Sequence, residues 1–289
     1  MPYGLCNLTG VIRATRHIMA AILAVYLAAT MALAGASGAS STRLVSGLDA
    51  AGWQAVGRLE VNNLAYCTGV LIAPDVVMTA AHCLFDPRTK TPVRPGDVVF
   101  QADLRNGRAS ATLRGNAYVI HPDFDYDGAT QSERVTKDLA LVRLDRRAPV
   151  DFNPFPTGQR PRKGSDVAVV SYGMGRAETP VLEKGCTVLA RRSGMLVLNC
   201  DVEFGSSGAP VFQQDISGRM QVVSVISSAI DLKGTRYALG TDLQRPLATL
   251  NALLADLPDS PQPGVLRKNL PKVRQPDAPK SGGAKFLRP

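Results

Sequence analysis

The sequence predicts an all-β body in two halves with a closing helix, on three observations. Trp53 to Val61 and Cys67 to Met78 are rich in β-branched residues, alternate in polarity and are separated by turn formers, which suits paired strands and not helices. A Pro-rich stretch from Ala148 to Pro161 divides the chain between two such runs of strands. After it, Leu243, Leu247, Leu250, Leu254 and Leu257 recur at helical spacing, which predicts one amphipathic helix with Asp242 available as its cap.

The 289 residues suffice for one large β domain or two small ones. A formal charge of +9 suggests a nucleic-acid or membrane partner until it is divided by region. Residues 1–36 carry Arg13 and Arg16 with no acid, and 258–289 carry seven Lys/Arg against Asp259 and Asp277. The body between them is nearly balanced, so basicity argues little about the site, and no nucleic-acid partner is expected. At the N-terminus, Arg13, Arg16 and His17 precede an apolar run from Ile18 to Leu33 and the small residues Ala34-Gly35-Ala36. An export signal cleaved near Ala36 is expected, an uncleaved anchor being the alternative. Cleavage would remove Cys6 and leave Cys67, Cys83, Cys186 and Cys200, an even set that points to two disulfides in an exported chain.

Taken in order, a short Ser-rich connector (residues 37–43) leads to Arg43-Leu44-Val45-Ser46-Gly47 and the strands already named. Residues 84–117 carry many Pro, Gly and Arg, with short strands around Val98 to Phe100 and Ala109 to Leu113. Asp123, Asp125 and Asp127 alternate in what reads as a solvated acidic loop and not a calcium site. Val167 to Val170 opens the second half. Further on, Cys186 and Cys200 stand equally far from Ser193, so a hairpin turning there aligns them for a cross-hairpin disulfide. Beyond Leu257 the composition shifts to Pro, Lys, Arg and Gly, which predicts a disordered tail, either a linker with no role or a tether to anionic envelope polymers.

The chemistry gathers at Gly205-Ser206-Ser207-Gly208-Ala209-Pro210, a small-residue turn with space for a substrate carbonyl. A serine nucleophile needs a base, a group that orients the base, and backbone N–H donors for the developing oxyanion. Thr79-Ala80-Ala81-His82-Cys83 follows the apolar run Val70 to Met78, and Asp138-Leu139-Ala140-Leu141-Val142 places a carboxylate at the mouth of buried structure. A buried acid needs a partner, and His82 is the natural one. In the order His, Asp, Ser, these motifs resemble the trypsin and chymotrypsin family of serine proteases over roughly Leu44 to Leu257. The resemblance implies two six-stranded antiparallel β-barrels, about 44–150 and 151–240, with a closing helix at 242–257. It also implies a catalytic triad of His82, Asp138 and Ser207, an oxyanion hole from the N–H groups of Gly205 and Ser207, and a Cys67–Cys83 disulfide pinning the histidine loop. His121 in His121-Pro122-Asp123-Phe124 is then structural. The expected cross-hairpin bond in the second half is closer to the family's bacterial branch.

By the same resemblance Asp201, six residues before Ser207, corresponds to the acid at the bottom of the primary specificity pocket, which suggests cleavage after Arg or Lys. Ser227 and Ala229 resemble the pocket wall, and Ile226 stands where glutamyl specificity would need a histidine. The sequence departs from the family at Ser206. There the family has an Asp that receives the ammonium freed by cleavage, and a neutral hydroxyl cannot form that ion pair, although Arg43-Leu44 resembles such a cleavage site. The expectation is an exported, monomeric serine endopeptidase acting on protein or peptide substrates, with no metal or organic cofactor. A protease-like binding module without turnover is the alternative.

Overall fold

The computed structural model describes residues 40–258 apart from Ala129. The expected signal segment and nearly all of the expected basic tail therefore lie outside the described residues. Strands β2 (Val56–Val61), β3 (Ala65–Ala73), β4 (Val76–Thr79), β5 (Val98–Ala102), β6 (Ala111–Ile120) and β7 (Ala140–Leu144) close into an antiparallel barrel in the order β2-β3-β4-β7-β6-β5. A second ring, β8-β9-β10-β13-β12-β11, is built from β8 (Asp166–Gly173), β9 (Arg176–Arg192), β10 (Met195–Leu198), β11 (Pro210–Gln214), β12 (Met220–Leu232) and β13 (Thr235–Asp242). The β11–β8 and β8–β9 pairings close it. Outside the ring, β1 (Ser40–Arg43) runs antiparallel along β9. Two six-stranded barrels and a C-terminal helix are the architecture that the resemblance implied.

Several strand boundaries differ from expectation, each for a local reason. The apolar run Cys67 to Met78 breaks into β3 and β4, because Pro74 and Asp75 turn the chain between them. Trp53 lies in a turn ahead of β2, while β6 extends to Ile120 and alternates only over its first half, its last three residues all being buried. The cross-hairpin bond forms as expected: β9 and β10 pair across Arg192 to Met195, and Cys186 is bonded to Cys200 with Cα atoms 5.1 Å apart. Cys67 is bonded to Cys83 across 16 positions, a closure that contributes about 3 kcal/mol through chain entropy.

The Pro-rich stretch between the barrels is pinned to both. Phe155 N–H donates to Leu71 O (3.0 Å) in the first, and Val222 N–H donates to Pro156 O (2.9 Å) from the second. Around it Trp53, Phe155 and Phe212 form an aromatic cluster with ring centroids 4.6 to 5.8 Å apart. Helix α2 (Gln244–Ala255) buries Leu250 and Leu254 against β6 and β7 of the first barrel. Its cap position is Leu243, one residue later than expected, yet Asp242 still accepts the Gln244 N–H (3.3 Å). Arg143 of β7 satisfies carbonyls at its other end, donating to Leu254 O (2.5 Å) and Leu257 O (3.2 Å).

A second helix, α1 (Gln131–Lys137), was not read from the sequence. Its signal was present as Thr130-Gln131-Ser132-Glu133, a capping-box pattern, and Thr130 Oγ1 accepts the Glu133 N–H (3.2 Å). The helix ends on Asp138 and so delivers that residue to the site.

Candidate active site

β4 ends at Thr79, and a single 3-10 turn (Ala81–Leu84) then carries His82 outward while Cys83 anchors it to β3. Asp138 is almost fully buried and receives three donors. Oδ1 accepts the His82 backbone N–H (2.8 Å), and Oδ2 accepts both His82 Nδ1–H (2.7 Å) and the Ser227 hydroxyl (2.5 Å). A carboxylate on Nδ1 fixes the tautomer in which Nε2 carries the lone pair, the form a general base requires. The peptide behind Asp138 is fixed as well, because Thr241 Oγ1 of β13 donates to Val135 O (2.7 Å) and Asp138 O (3.3 Å).

Ser207 sits in the turn before β11, 5% exposed. The carbonyls of this turn are held inward: Phe204 O by Met174 N–H (2.7 Å), Gly205 O by Thr68 Oγ1 (2.9 Å), and Ser207 O by Thr68 N–H (2.8 Å). Because C=O and N–H point oppositely across a trans peptide, anchoring Phe204 O turns the Gly205 N–H the other way. Among the described residues, neither the Gly205 nor the Ser207 N–H has a protein acceptor. Two unengaged N–H donors two positions apart are a geometry able to bind an anionic oxygen. Thr68 itself links the turn to the histidine strand, since its carbonyl accepts from Thr79 Oγ1 (2.9 Å).

Thus His82 and Asp138 are joined directly, and the Ser207 turn is bound to the same barrel through Thr68 and Thr79. No hydrogen bond joins Ser207 Oγ to His82 Nε2; the Nε2 contact is Cys83 Sγ at 3.8 Å. Catalytic hydrogen bonds of this kind commonly shorten only when substrate is bound.

The expected pocket residues separate. The Ser227 hydroxyl, expected on the pocket wall, is turned onto Asp138, a role that the sequence reading did not assign. A register shift between Ile226 and Ser228 in the β12–β13 pairing accompanies this placement. Ala229 is half-buried against the apolar cluster of Cys200, Val202 and Ala238, and its carbonyl accepts Gln131 Nε2 (3.1 Å) from α1. Asp201 is exposed one residue after Cys200 is tied to β9, and its carboxylate has no hydrogen-bond or ion-pair partner among the described residues. Its N–H donates to both carboxylate oxygens of Glu183 (3.0 Å each), which is 8% exposed.

Burial pushes the Glu183 carboxyl above its ordinary range, partly opposed by the Asp201 N–H bond. Between its unfolded and its higher folded pKa, the native state binds more protons than the unfolded state. Wild-type stability is therefore expected to fall relative to Glu183→Gln as pH rises through that window. Urea midpoints across the acid range check it, and parallel curves for the two proteins would refute it.

Within this geometry the comparisons with known proteins are consistent. A family model described as a trypsin-like peptidase domain matches residues 67–220. Mouse serine protease 56 is 30% identical over 138 residues, which is 45% of this chain and 21% of that protein. Human kallikrein-5 is 30% identical over 142 residues, 46% of this chain and 44% of that protein. The chain thus aligns with less than half the length of these two relatives. A solved Glu endopeptidase in complex with MPD superimposes with a TM-score of 0.58 at 14% identity, covering 76% of this chain and 97% of that one, a likeness of fold alone. With its match spanning more than half of the sequence and both barrels in place, the chain belongs to the trypsin-like peptidase family.

Proposed function

We propose that the chain is a serine endopeptidase that hydrolyses peptide bonds through an acyl-enzyme. The observation that carries this reading is Asp138 gripping His82 by ring and backbone, beside a turn whose Gly205 and Ser207 N–H groups are unengaged. His82 Nε2 takes the Ser207 proton as Oγ attacks the substrate carbonyl, and the oxyanion falls to the two N–H groups. Asp138 stabilises the imidazolium, which then protonates the leaving amine. Water, with His82 again as base, releases the acid product and regenerates Ser207.

The test is an acylating fluorophosphonate probe read by intact mass. One adduct, lost in Ser207→Ala, is the expected result. No adduct on a folded protein with both disulfides formed would favour the binding module.

We further propose cleavage after Arg or Lys, supported by the exposed carboxylate of Asp201, which has no hydrogen bond or salt bridge among the described residues and feels Arg176 only at longer range. Peptide-library profiling should show Arg favoured over Leu, and Asp201→Ser should lower that ratio; an unchanged ratio rejects Asp201 as the determinant. Action outside the cytoplasm, as a monomer, is part of the same proposal, and the two disulfides support an oxidising compartment. Tethering by the basic tail rests on its charge, and salt is expected to release it.

A further inference from the structure

The turn bearing Ser207 holds Ser206 at the position where the resemblance leads one to expect an Asp paired with an ammonium freed by cleavage. Ser206 is fully buried, so its hydroxyl needs other partners. Ser206 Oγ accepts the Glu203 N–H (3.2 Å) and Arg176 Nη2–H (3.4 Å), and lies within donating reach of Ser171 Oγ (3.3 Å) and Tyr172 O (3.4 Å). Arg176 also donates to Ser171 O and, through Nη2, to Ser171 Oγ (3.1 Å), with Glu203 Oε2 4.0 Å from its Nε. Gly173 makes the space, since a Cβ there would stand 2.7 Å from the guanidinium carbon. The guanidinium thus enters beneath the turn from the start of β9, its side chain 16% exposed.

The segment that cleavage would free is occupied elsewhere. Ser40–Arg43 pairs with Val181 to Lys184 of β9, Leu44 N–H donates to Pro180 O (2.9 Å), and the Leu44 side chain is buried. Moving Leu44 would cost its bond to Pro180 O and its buried seat, and at Ser206 its ammonium would find a hydroxyl beside an existing cation.

We infer that Arg176, acting through Ser206 and Ser171, is the positioning residue that holds the oxyanion turn in shape in the uncut chain. The inference rests on the peptidase reading for its kinetic consequence but not for its structural one. A guanidinium is charged at every working pH and can reach two hydroxyls and a carbonyl at once, which a lysine cannot reproduce. Its cation is present from synthesis, so no cleavage at Arg43 is required.

The full chain carrying Arg43→Gln, which cannot be cut there by an Arg-specific protease, is expected to react with the fluorophosphonate as fast as wild type. Arg176→Gln is expected to slow labelling about 100-fold and to weaken a peptide aldehyde, which binds as an oxyanion adduct, by the same factor. KM for a peptide substrate should move less than about threefold, and Arg176→Lys should fall between. Hydrogen exchange at the Met174 amide, which holds Phe204 O, reads the turn without chemistry: protection in the uncut wild type should be lost in Arg176→Gln. Ser206→Ala, smaller and uncharged, decides the matter if Arg176→Gln fails to fold. Labelling and Met174 protection within threefold of wild type in these variants, or activity of the Arg43→Gln chain only after cutting elsewhere, overturns the inference. If wild type shows a protected Met174 amide, lost in Arg176→Gln, but no labelling at all, the peptidase reading falls and the positioning role stands.

Discussion

Asp138→Asn is expected to lower kcat by about 10⁴-fold while leaving the barrels intact. Three donors converge on this carboxylate, and an amide offers only one accepting oxygen. If that oxygen stays on the His82 backbone N–H, the amide NH₂ faces Nδ1 and Ser227 Oγ, where the wild type has an acceptor. Nδ1 must then accept, the proton moves to Nε2, and the atom that should take the Ser207 proton is already protonated. If the amide turns over, the His82 backbone N–H loses its partner in a buried site, and the 3-10 turn that carries the imidazole is loosened. The first arrangement removes the base and the second loosens the turn that carries it, and neither removes bulk. Steady-state kinetics on a peptide substrate, with urea midpoints to show that the fold survives, measure the effect. A variant within tenfold of wild type would remove Asp138 from the mechanism.

Why some of this site was legible and some was not follows from the range of each interaction. Thr79 to Cys83, Asp138 to Val142 and Gly205 to Pro210 could be read because each couples a chemical residue to its own strand or turn, so the local pattern places the residue. Helix α1 was equally local, and its Thr130–Glu133 capping box went unread because the neighbouring acidic residues suggested a solvated loop. In the structure Asp127 meets Lys90 (2.7 Å), while Thr130 starts a helix. Ser227 is a different case, since its contact with Asp138 spans 89 positions and depends on a register shift in β12. Arg176 is another. No spacing rule marks an arginine after Gly173-Met174-Gly175 as the cation beneath a turn that starts nearly thirty residues later. The departure at Ser206 was legible in the sequence, whereas the bonds of Arg176 to Ser171 and Ser206 depend on the packing of β8 and β9.

Gly208→Ala is the second large effect, and it is expected to act through space and not through chemistry. Gly208 has φ +78°, a left-handed conformation that costs a residue with a Cβ roughly 1–2 kcal/mol. The added Cβ would also stand 2.2 Å from both Thr68 O and Thr79 Oγ1, and 3.1 Å from Ala80 N. Two of these are backbone atoms of β3 and of the segment entering the histidine turn, so no side-chain rotation relieves the clash. Overpacking of this kind adds about 1–3 kcal/mol, and the total reaches about 2–5 kcal/mol. The relief available is to push the turn away from Thr68, which breaks the Ser207 O bond to Thr68 N–H and the Gly208 N–H bond to Ile226 O (2.7 Å). Ser207 Oγ and the Gly205 and Ser207 N–H groups would move together, and in the proposed mechanism a displacement near 1 Å is enough to cost about 100-fold in rate. The expected variant therefore unfolds at clearly lower urea and labels with fluorophosphonate at least 100-fold more slowly. A Gly208→Ala protein that matched wild type in both would mean that the turn has slack, and the tight seat assigned to Ser207 between Thr68 and Thr79 would have to be withdrawn.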